Sequence, residues 1–241
     1  MLQWLDLSFD DPAENLACDE ALLEWAEREN PEQGVLRFWE STKPFVVVGH
    51  AGKVRDEVHV DFCERAGVPV FRRVTGGGSV LQGPGCWNYS LVLPMTFDPG
   101  LASIHESNHW VMARNARVLG NLLGKPVGIQ GPSDLAIGDL KISGNAQRRK
   151  RRWILFHGTI LREMDIQLIE RTLAMPPKEP EYRRGRTHGD FLLNTDTQGS
   201  LLREALQGAW GVSGEFTGVP IDAIAALARD KYGSPAWNLR L

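Results

Sequence analysis

Three consecutive glycines are the first feature of the sequence that could do chemistry. They lie in the segment Arg72-Arg-Val-Thr-Gly-Gly-Gly-Ser-Val80, between two runs that read as strands. Because glycines have no side chains, a ligand can approach their backbone N–H groups, and the adjacent arginines add fixed positive charge for a phosphate or a carboxylate. A flexible turn with solvated arginines is the structural alternative. The segment is not a phosphate-binding P-loop, because the Gly-x4-Gly-Lys-Ser/Thr pattern is missing.

A second polar segment follows at Asp139-Leu-Lys-Ile-Ser-Gly-Asn-Ala-Gln147. Lys141, Ser143 and Asn145 alternate with apolar or small residues, which predicts a strand with one polar face and one buried face. A lysine on such a strand, opposite a glycine loop, could neutralise charge that develops on a phosphoryl or carbonyl oxygen. An edge-strand lysine that discourages aggregation would show the same pattern.

A single histidine is the third candidate, in His157-Gly-Thr159. Its imidazole could act as a general base, or it could be a partly buried side chain held by hydrogen bonds. No second histidine or carboxylate stands beside it at the spacing of metal ligands, so a metal site built by the protein alone is not expected. Asp134 is predicted at most to help hold Mg²⁺ together with substrate phosphates, since Mg²⁺ commonly uses one or two carboxylates.

The strongest run of charge is Arg148-Arg-Lys-Arg-Arg152, and Arg183, Arg184 and Arg186 form a second cluster. The first run is interpreted either as a solvated hairpin tip or as a patch that docks an acidic protein domain or nucleotide phosphates. Nucleic acid is not expected as the main partner, because 27 basic and 30 acidic residues leave a net charge of −3.

The composition is that of a globular protein of 241 residues, with 42% hydrophobic and 24% charged residues. No apolar run approaches the roughly 20 residues of a membrane span, and the acidic N-terminus lacks the basic flank of a signal peptide. The three cysteines, Cys18, Cys63 and Cys86, share no CxxC spacing, which argues against a disulfide scaffold and a cysteine zinc site. We therefore expect a soluble cytoplasmic protein without a membrane partner.

The elements that must position these residues mix helices and strands without a strict βαβ alternation. Asp11 followed by Pro12 predicts the start of a helix. Residues 35–39 and 45–49 are interpreted as a pair of strands around a turn at 42–44. Further strands are predicted at 68–71, 80–81 and 87–93, helices at 58–66 and 101–123, and a hairpin at 140–147 and 153–161. This pattern predicts an α+β fold, with helices packed on a mixed or antiparallel sheet.

In this order along the chain, the segments resemble the lipoate–protein ligase family. The resemblance rests on Arg72-Arg-x-Thr-Gly-Gly-Gly-x-Val80, Ser133-Asp-Leu135, Lys141-Ile-Ser-Gly-Asn-Ala-Gln147 and His157-Gly-Thr159, with Asn15-Leu-Ala-x-Asp-Glu20 before them and Pro235-Ala-Trp-Asn-Leu239 after them. It implies the α+β cofactor-ligase fold that biotin ligases and octanoyltransferases share. It covers about residues 5 to 240, so we expect one catalytic domain over residues 1–241, without the C-terminal accessory domain of the common bacterial ligase.

The resemblance implies a reaction in two steps. The carboxylate of lipoate attacks the α-phosphate of MgATP, which gives lipoyl-AMP and pyrophosphate. A lysine of an acceptor domain then attacks the acyl carbon and releases AMP. The implied acceptors are lipoyl domains, in E2 subunits of 2-oxoacid dehydrogenases or in the H protein of glycine cleavage, and a separate accessory protein could take the place of the accessory domain.

Lys141 is the implied catalytic residue, because it would bridge the carbonyl and phosphate oxygens. The backbone of Gly76, Gly77 and Gly78 and the side chain of Arg72 are expected to contact the ligand. Asp134 is expected near the phosphates or a magnesium ion, and His157 in the pocket wall. The other residues expected to contact substrate or nucleotide are Thr75, Ser79, Val80, Ser133, Ser143, Gly144, Asn145, Ala146, Gly158 and Thr159. Val80 and the strand at 87–93 are expected to line a tunnel for the eight-carbon acyl chain.

An octanoyltransferase that needs no ATP is the alternative enzyme, and a non-catalytic lipoyl-binding protein is a third possibility. Octanoyltransferases of this superfamily hold the acyl group on a cysteine. One branch resembles Lys141–Gln147 and has its cysteine shortly before the segment that matches Ser133-Asp134, whereas Val127-Gly-Ile-Gln-Gly-Pro132 has none. The ligase is therefore favoured, although many ligases have asparagine in place of Ser133. A biotin ligase is disfavoured, because no Gly-Arg-Gly-Arg stretch is present.

Overall fold

The computed structural model describes residues 1–241, and its strands form two sheets. The strands and helices follow one another as β1 (Leu2–Asp6), α1 (Pro12–Glu29), β2 (Gly34–Glu40), β3 (Phe45–Val48), α2 (Val54–Glu57), α3 (Val60–Ala66), β4 (Val70–Arg72), β5 (Val80–Gln82), β6 (Cys86–Pro94), α4 (Ile104–Leu123), β7 (Gly128–Gln130), β8 (Asp134–Ile137), β9 (Leu140–Arg149), β10 (Trp153–Leu161), α5 (Ile166–Thr172), α6 (His188–Phe191), α7 (Gly199–Trp210), β11 (Val212–Glu215), α8 (Ile221–Leu227) and α9 (Pro235–Asn238).

The larger sheet has eight strands in the order β11-β1-β2-β6-β10-β9-β8-β7. Strand β1 pairs in parallel with β11 and β2, and every pair from β2 through β6, β10, β9 and β8 to β7 is antiparallel. The smaller sheet has the order β4-β3-β5, with β3 parallel to β4 and antiparallel to β5. This mixed sheet with packed helices confirms the predicted α+β fold.

Two hydrophobic clusters cover the two faces of the larger sheet. On the α4 face, helices α4 and α7 pack on the strands, and Met112 and Leu206 share a cluster with Phe156. On the α1 face, helices α1 and α8 pack on the strands, and Leu22 shares a cluster with Leu155. The neighbours Phe156 and Leu155 point to opposite faces because side chains alternate along a strand. Strand β3 of the smaller sheet also contributes to the α1-face cluster, so the smaller sheet lies against that face.

The first helix begins where its sequence predicts. Asp11 has extended backbone and its side chain accepts a hydrogen bond from Ala13 N at 2.9 Å, while Pro12 occupies the first turn. Asn30 ends the helix in the left-handed conformation. The long helix α4 begins later than predicted, at Ile104, because Ser103 caps it by accepting from Glu106 N.

The predicted pairing of residues 35–39 with residues 45–49 is wrong. Strand β2 lies between β1 and β6 in the larger sheet, so both of its edges are already paired. Strand β3 lies in the smaller sheet, between β4 and β5. The turn between β2 and β3 therefore carries the chain from one sheet to the other.

None of the helices has both the length and the apolar character needed to cross a bilayer.

Candidate active site

The glycine loop, residues 73–79, connects β4 to β5 and folds around the buried guanidinium group of Arg73. Arg73 donates from Nη2 to the carbonyl oxygens of Gly76 at 2.5 Å and Gly78 at 2.9 Å, and from Nε to Thr75 Oγ1 at 2.9 Å. Burial lowers the pKa of Arg73 to about 10, so the guanidinium stays charged near neutral pH. An added Cβ at Gly76 or Gly78 would meet open space. A ligand can therefore approach the outer side of this backbone closely.

Gly77 is the position at which the loop requires glycine for conformational reasons. Its φ is +90°, in the region that residues with side chains rarely adopt. The chain at Gly49 passes so close that a Cβ there would lie 1.9 Å from the carbonyl oxygen of Gly77. His50 N also donates to the carbonyl of Thr75 at 2.8 Å. The segment after β3 therefore supports the glycine loop from its other side.

We expect Gly77→Val to weaken the binding of a non-hydrolysable lipoyl-adenylate analogue at least ~10-fold. It should also lower the free energy of unfolding by about 2 kcal/mol, because a branched side chain at positive φ is strained. Gly76→Ala is the matched control, since its Cβ meets open space and its φ is not positive. This control should keep the wild-type stability. Calorimetry and thermal unfolding measure both effects, and an unchanged affinity of Gly77→Val would contradict the loop's role in binding.

Lys141 lies on β9 with its ammonium group against Asp134 of β8. Its Nζ is 2.8 Å from Asp134 Oδ1, and the Tyr182 hydroxyl donates to Asp134 Oδ2 at 2.8 Å. Burial and the Asp134 carboxylate raise the pKa of Tyr182, so its hydroxyl keeps the proton that it donates. Gly144 leaves room for the lysine, since a Cβ there would lie 3.1 Å from Lys141 Nζ. The lysine side chain is 25% exposed, so its charge is available to a ligand.

A β-bulge places Lys141 on a different side of β9 from the one that strict alternation predicts. The pairing with β8 shifts at this point, so that Ile142 is the extra residue. Lys141 consequently shares a side with Gly144, while Ser143 and Asn145 are buried behind it. The single polar face expected for Lys141, Ser143 and Asn145 is therefore wrong.

Asn145 uses its side-chain amide inside the protein. Its Oδ1 accepts from the Tyr89 hydroxyl at 2.6 Å, and its Nδ2 donates to the Ser133 carbonyl at 2.9 Å and to Ser143 Oγ at 3.3 Å. Gly158 on β10 must lack a side chain, because a Cβ there would lie 2.0 Å from Asn145 Oδ1. The structure thus places Asn145, Ser143 and Gly158 as supports that hold β8, β9 and β10 together, and not with side chains directed at a ligand.

A chain of hydrogen bonds runs from the glycine loop into the larger sheet. Thr75 Oγ1 lies 2.8 Å from His157 Nε2, and His157 Nδ1 lies 2.9 Å from Asp19 Oδ2. Asp19 Oδ2 also accepts a hydrogen bond from Ser90 Oγ at 2.7 Å, and Asp19 Oδ1 forms a 2.8 Å ion pair with Arg37. Burial opposes the charge of Asp19, but the hydrogen bond from His157 and the charge of Arg37 hold its pKa below the usual range. The His157 side chain is 17% exposed, so it lines the site.

Arg72 is placed differently from the expectation that it contacts a ligand. The residue is fully buried, and its guanidinium donates only to backbone carbonyl oxygens. Two groups of carbonyls accept these bonds, one in residues 49–52 and one in residues 237–240. Its backbone N also donates to Asn238 Oδ1 at 3.1 Å. The side chain therefore fastens the segment behind the glycine loop to the C-terminal segment.

Ser79 and Val80 lead out of the glycine loop into β5. Ser79 donates from both N and Oγ to Glu57 Oε2, at 2.9 and 2.8 Å. Val80 is half-buried and packs against the α1-face cluster, so it is placed to line the site. The expected tunnel lining by β6 is wrong for Trp87, which lies in the α4-face cluster on the other side of the sheet from His157.

Ala146 and Thr159 complete the wall on the α1 face. Ala146 pairs with His157 across β9 and β10, and Thr159 is two residues beyond His157, so these three side chains point the same way. Both residues are half-buried. Ala146 and Gly144 are two residues apart and face the same side of β9, and the Lys141 side chain lies against Gly144. Lys141 and His157 therefore lie on one side of the sheet. The structure thus brings the lysine, the histidine and the glycine loop to one site.

All three cysteines are buried and chemically quiet. Burial, followed by the nearby Glu40 carboxylate, raises the pKa of Cys86 to about 12, and burial raises the pKa of Cys18 to about 11. The pKa of Cys63 is raised as well, again by burial. The thiolate is the nucleophilic form of cysteine, so none of these thiols is poised for reaction near neutral pH.

Several side chains of the basic run at residues 148–152 form contacts within the protein. Arg149 donates to the Leu101 carbonyl at 2.6 Å, and Lys150 Nζ lies 2.5 Å from the Glu24 carboxylate. The predicted hairpin is confirmed, but β9 extends to Arg149, so the run is shared between strand and tip. Arg151 remains exposed without a partner, so docking of another molecule at this run stays a prediction.

The protein side chains do not build a magnesium site around Asp134. Each of its carboxylate oxygens has one contact, Oδ1 with Lys141 and Oδ2 with Tyr182, and no three His, Cys, Asp or Glu side chains converge as a metal cluster. Mg²⁺ needs oxygen ligands with free lone pairs. Asp134 keeps further lone pairs beside these two contacts, so its help in holding Mg²⁺ together with substrate phosphates stays a prediction, and we assign no metal step to it.

Two site residues were not predicted from the sequence. For Asp19 the sequence offered one clue, because a carboxylate among the apolar residues of a helix needs a partner when that side of the helix is buried. Tyr182 comes from a segment between short helices, and no pattern in the sequence connects it with Asp134. Both partners depend on tertiary contacts between elements that are far apart in the chain.

The model of the lipoyl protein ligase A/B catalytic domain matches residues 11–208, and the chain belongs to that family. A relative from Aeropyrum pernix, provisionally named lipoate-protein ligase A, is 32% identical over 68% of this chain and 59% of that protein. The octanoyltransferase LipM of Carboxydothermus hydrogenoformans is 33% identical over 71% of this chain and 68% of that protein. The chain is thus an enzyme of the lipoate ligase and octanoyltransferase family.

A solved structure supports the fold independently. The bi-partite lipoate protein ligase of Thermoplasma acidophilum, studied with its E2 lipoyl domain, superposes with a TM-score of 0.80 at 23% identity. The superposition covers 99% of this chain and 95% of that chain. The two proteins therefore share the α+β fold described above.

Proposed function

We propose that the chain is an AMP-forming lipoate–protein ligase, which activates lipoate or octanoate with ATP and transfers the acyl group to a lysine of an acceptor lipoyl domain. The observation that carries this proposal is the contrast between two kinds of group. The Lys141 ammonium and the glycine loop are accessible, whereas Cys18, Cys63 and Cys86 are buried with raised pKa values. A ligase needs fixed charge and no thiol, and a thioester-forming transferase needs a thiolate.

The accessible groups suit the first half-reaction. The carboxylate of the acid attacks the α-phosphorus of ATP, a P–O bond to pyrophosphate breaks, and negative charge spreads over the phosphoryl oxygens. The Lys141 ammonium is held by Asp134 near the wall of the site, and it can neutralise that charge without rearranging the backbone. The outward-facing backbone of Gly76 to Gly78 allows close approach of a phosphate.

The second half-reaction places requirements on the partner. An acceptor lysine must reach the acyl carbon, so the acceptor has to present that lysine on an exposed turn of a small domain. Lipoyl domains of E2 subunits and the H protein of glycine cleavage are the proposed acceptors. A separate accessory protein is also proposed, by analogy with the bi-partite ligase of Thermoplasma acidophilum.

ATP–pyrophosphate exchange is the experiment that tests the proposal. With purified chain and radiolabelled pyrophosphate, exchange should depend on added lipoate or octanoate and should disappear without either acid. Separately, intact-mass analysis should show one lipoyl group added to an acceptor domain in the presence of ATP. Absence of exchange, together with octanoyl transfer from a carrier-bound donor, would overturn the ligase assignment.

Octanoyl transfer without ATP is the second candidate, and the LipM relative is the observation that favours it. That relative is as similar to the chain as the ligase relative. Such a reaction needs a nucleophile that holds the acyl group. Cys86 would have to be uncovered and deprotonated first, and burial together with Glu40 acts against both changes.

The cysteines separate the two candidates by mutation. A triple variant with Cys18→Ala, Cys63→Ala and Cys86→Ser is expected to keep ligase turnover within ~3-fold of wild type, because no step of adenylation uses a thiol. Each replacement of a buried cysteine can cost about 1 kcal/mol of stability, so turnover is measured well below the melting temperature. A hydroxylamine-sensitive octanoyl adduct on Cys86, with loss of turnover in Cys86→Ser, would establish the transferase instead.

A further inference from the structure

The segment between α5 and α6 reaches Lys141 through one tyrosine. The Tyr182 hydroxyl donates to Asp134 Oδ2 at 2.8 Å, and Asp134 Oδ1 lies 2.8 Å from Lys141 Nζ. Asp134 is buried, so its charge depends on these two partners. Because the hydroxyl occupies Oδ2, the ammonium pairs through Oδ1, and the other N–H groups of Lys141 are left for a ligand.

Tyr182 is itself held against the β8–β9 hairpin. Its ring packs on Phe191 with the ring centroids 5.1 Å apart, and its carbonyl accepts from Arg186 Nη2 at 2.9 Å. Arg186 also donates to the Asp139 carbonyl at 2.9 Å and lies 3.3 Å from the Asp139 carboxylate. Asp139 is in the turn between β8 and β9. The arginine therefore fastens the tyrosine to the same hairpin that carries the carboxylate and the lysine.

The same segment also holds the backbone of Lys141. Leu193 N donates to the Lys141 carbonyl at 2.9 Å, and Leu192 forms a parallel bridge with Lys141. Residues 182–193 therefore hold the lysine at two points, its carbonyl directly and its ammonium through Asp134. A charge that is fixed in this way needs little rearrangement when it meets charge that develops on a reacting oxygen, which is the condition for preorganised electrostatic stabilisation.

We infer that Tyr182 is a positioning residue, which orients the Asp134 carboxylate and thereby sets the place of the Lys141 ammonium in the site. The inference rests on the proposed function, because that function assigns the charge of the reaction to Lys141. Without the hydroxyl, both carboxylate oxygens are open to the ammonium, which can then turn toward Oδ2 and away from the ligand. Burial and the Asp134 carboxylate raise the pKa of Tyr182, so its hydroxyl keeps its proton and acts only as a donor.

Tyr182→Phe removes the hydroxyl and keeps the ring that packs on Phe191. Lipoate-dependent ATP–pyrophosphate exchange at saturating substrates should fall ~10-fold or more, the effect of one hydrogen bond to a charged group. The KM values for ATP and lipoate should change less than ~3-fold, because the lysine acts on charge that develops in the transition state. Tyr232→Phe is the matched control and should keep wild-type exchange. It deletes the same kind of bond, from a fully buried hydroxyl to Glu20, with which Lys231 also pairs.

A double-mutant cycle decides whether the tyrosine acts through the carboxylate. Asp134→Asn keeps the volume of the side chain but removes the charge that holds Lys141, so exchange should already fall ~10-fold or more. In that background, Tyr182→Phe should lower exchange by less than ~2-fold further, since no carboxylate is left to orient. A direct contact between the hydroxyl and the ligand would instead cost the same factor in both backgrounds. Thermal unfolding of each variant fixes an assay temperature at which all are folded.

Two results would overturn the inference: wild-type exchange by Tyr182→Phe, or an equal further loss in the Asp134→Asn background. If Tyr182→Phe fails to fold, Arg186→Met takes its place in the cycle, because it releases the tyrosine from the hairpin and leaves the hydroxyl present. If the wild-type protein catalyses no exchange, the proposed function fails. The cycle is then measured on octanoyl transfer from a carrier-bound donor, in which Lys141 would stabilise charge on the acyl oxygen, and the same two results overturn the positioning role there.

Discussion

Lys141→Ala is expected to lower ligase turnover at least ~100-fold, which is the loss typical for one preorganised electrostatic group. The ammonium is the accessible positive charge on this wall of the site, and Asp134 holds it in place at 2.8 Å. The loss should appear in both half-reactions, because charge develops on the phosphoryl oxygens in the first and on the acyl oxygen in the second. Exchange and single-turnover amide formation measure the two losses.

Stability separates this role from a structural one. Because Asp134 is buried, removing Lys141 leaves its carboxylate with only the Tyr182 hydroxyl as partner, and the free energy of unfolding should fall by about 1–3 kcal/mol, so turnover is compared well below the melting temperature. Lys125→Ala is the control, since Lys125 is exposed and forms no ion pair; it should retain the wild-type turnover and stability. Turnover of Lys141→Ala within a few-fold of wild type would show that the charge does not act in the reaction.

Arg72→Met is expected to lower the free energy of unfolding by about 4 kcal/mol even without any ligand, because several buried carbonyl oxygens lose a charged donor at once. Arg72→Lys keeps the charge, but a single ammonium group cannot reach the carbonyls of two separate segments, so a loss of about 2 kcal/mol is expected. Denaturant unfolding of the ligand-free protein measures both losses.

The control for Arg72 is an arginine with no partner. Arg151 is exposed at the hairpin tip and forms neither a hydrogen bond nor an ion pair, so Arg151→Met should change stability by less than about 0.5 kcal/mol. If Arg72→Met has wild-type stability but reduced affinity for the adenylate analogue, the side chain acts on the ligand directly. The expectation from the sequence would then be right, and the fastening role wrong.

The sequence predicted the fold and the main components of the site because those signals are local. The glycine triplet, the helix start at Asp11 and the hairpin around residue 150 each depend on neighbouring residues, and all three appear in the structure. The family resemblance rested on the same local segments. Local chemistry was therefore sufficient to predict which segments of the chain lie together in the candidate site.

The roles of particular side chains were harder to predict, because they depend on long-range contacts. The bulge at Ile142 changes the side of the strand on which Lys141 lies, and no pattern in the sequence predicts this bulge. Arg72 was expected to contact a ligand because it lies close to the glycines in the sequence, yet its partners lie in other segments of the chain. The pairing of Asp19 with His157 joins residues 138 positions apart. Such contacts follow from the topology of the sheets, which the sequence does not display.

The bonds from Arg72 to the C-terminal segment also bear on the order in which the chain folds. The partners of Arg72 include the carbonyl of Trp237, 165 residues further along the chain. Closing so long a loop costs little extra free energy, because the entropy grows only with the logarithm of loop length, but contacts of this separation form slowly. During synthesis, β4 and the glycine loop leave the ribosome long before residues 237–240 do. Arg72 therefore lacks its final partners until residues 237–240 have been made and folded back, and the segment behind the glycine loop is fastened only then.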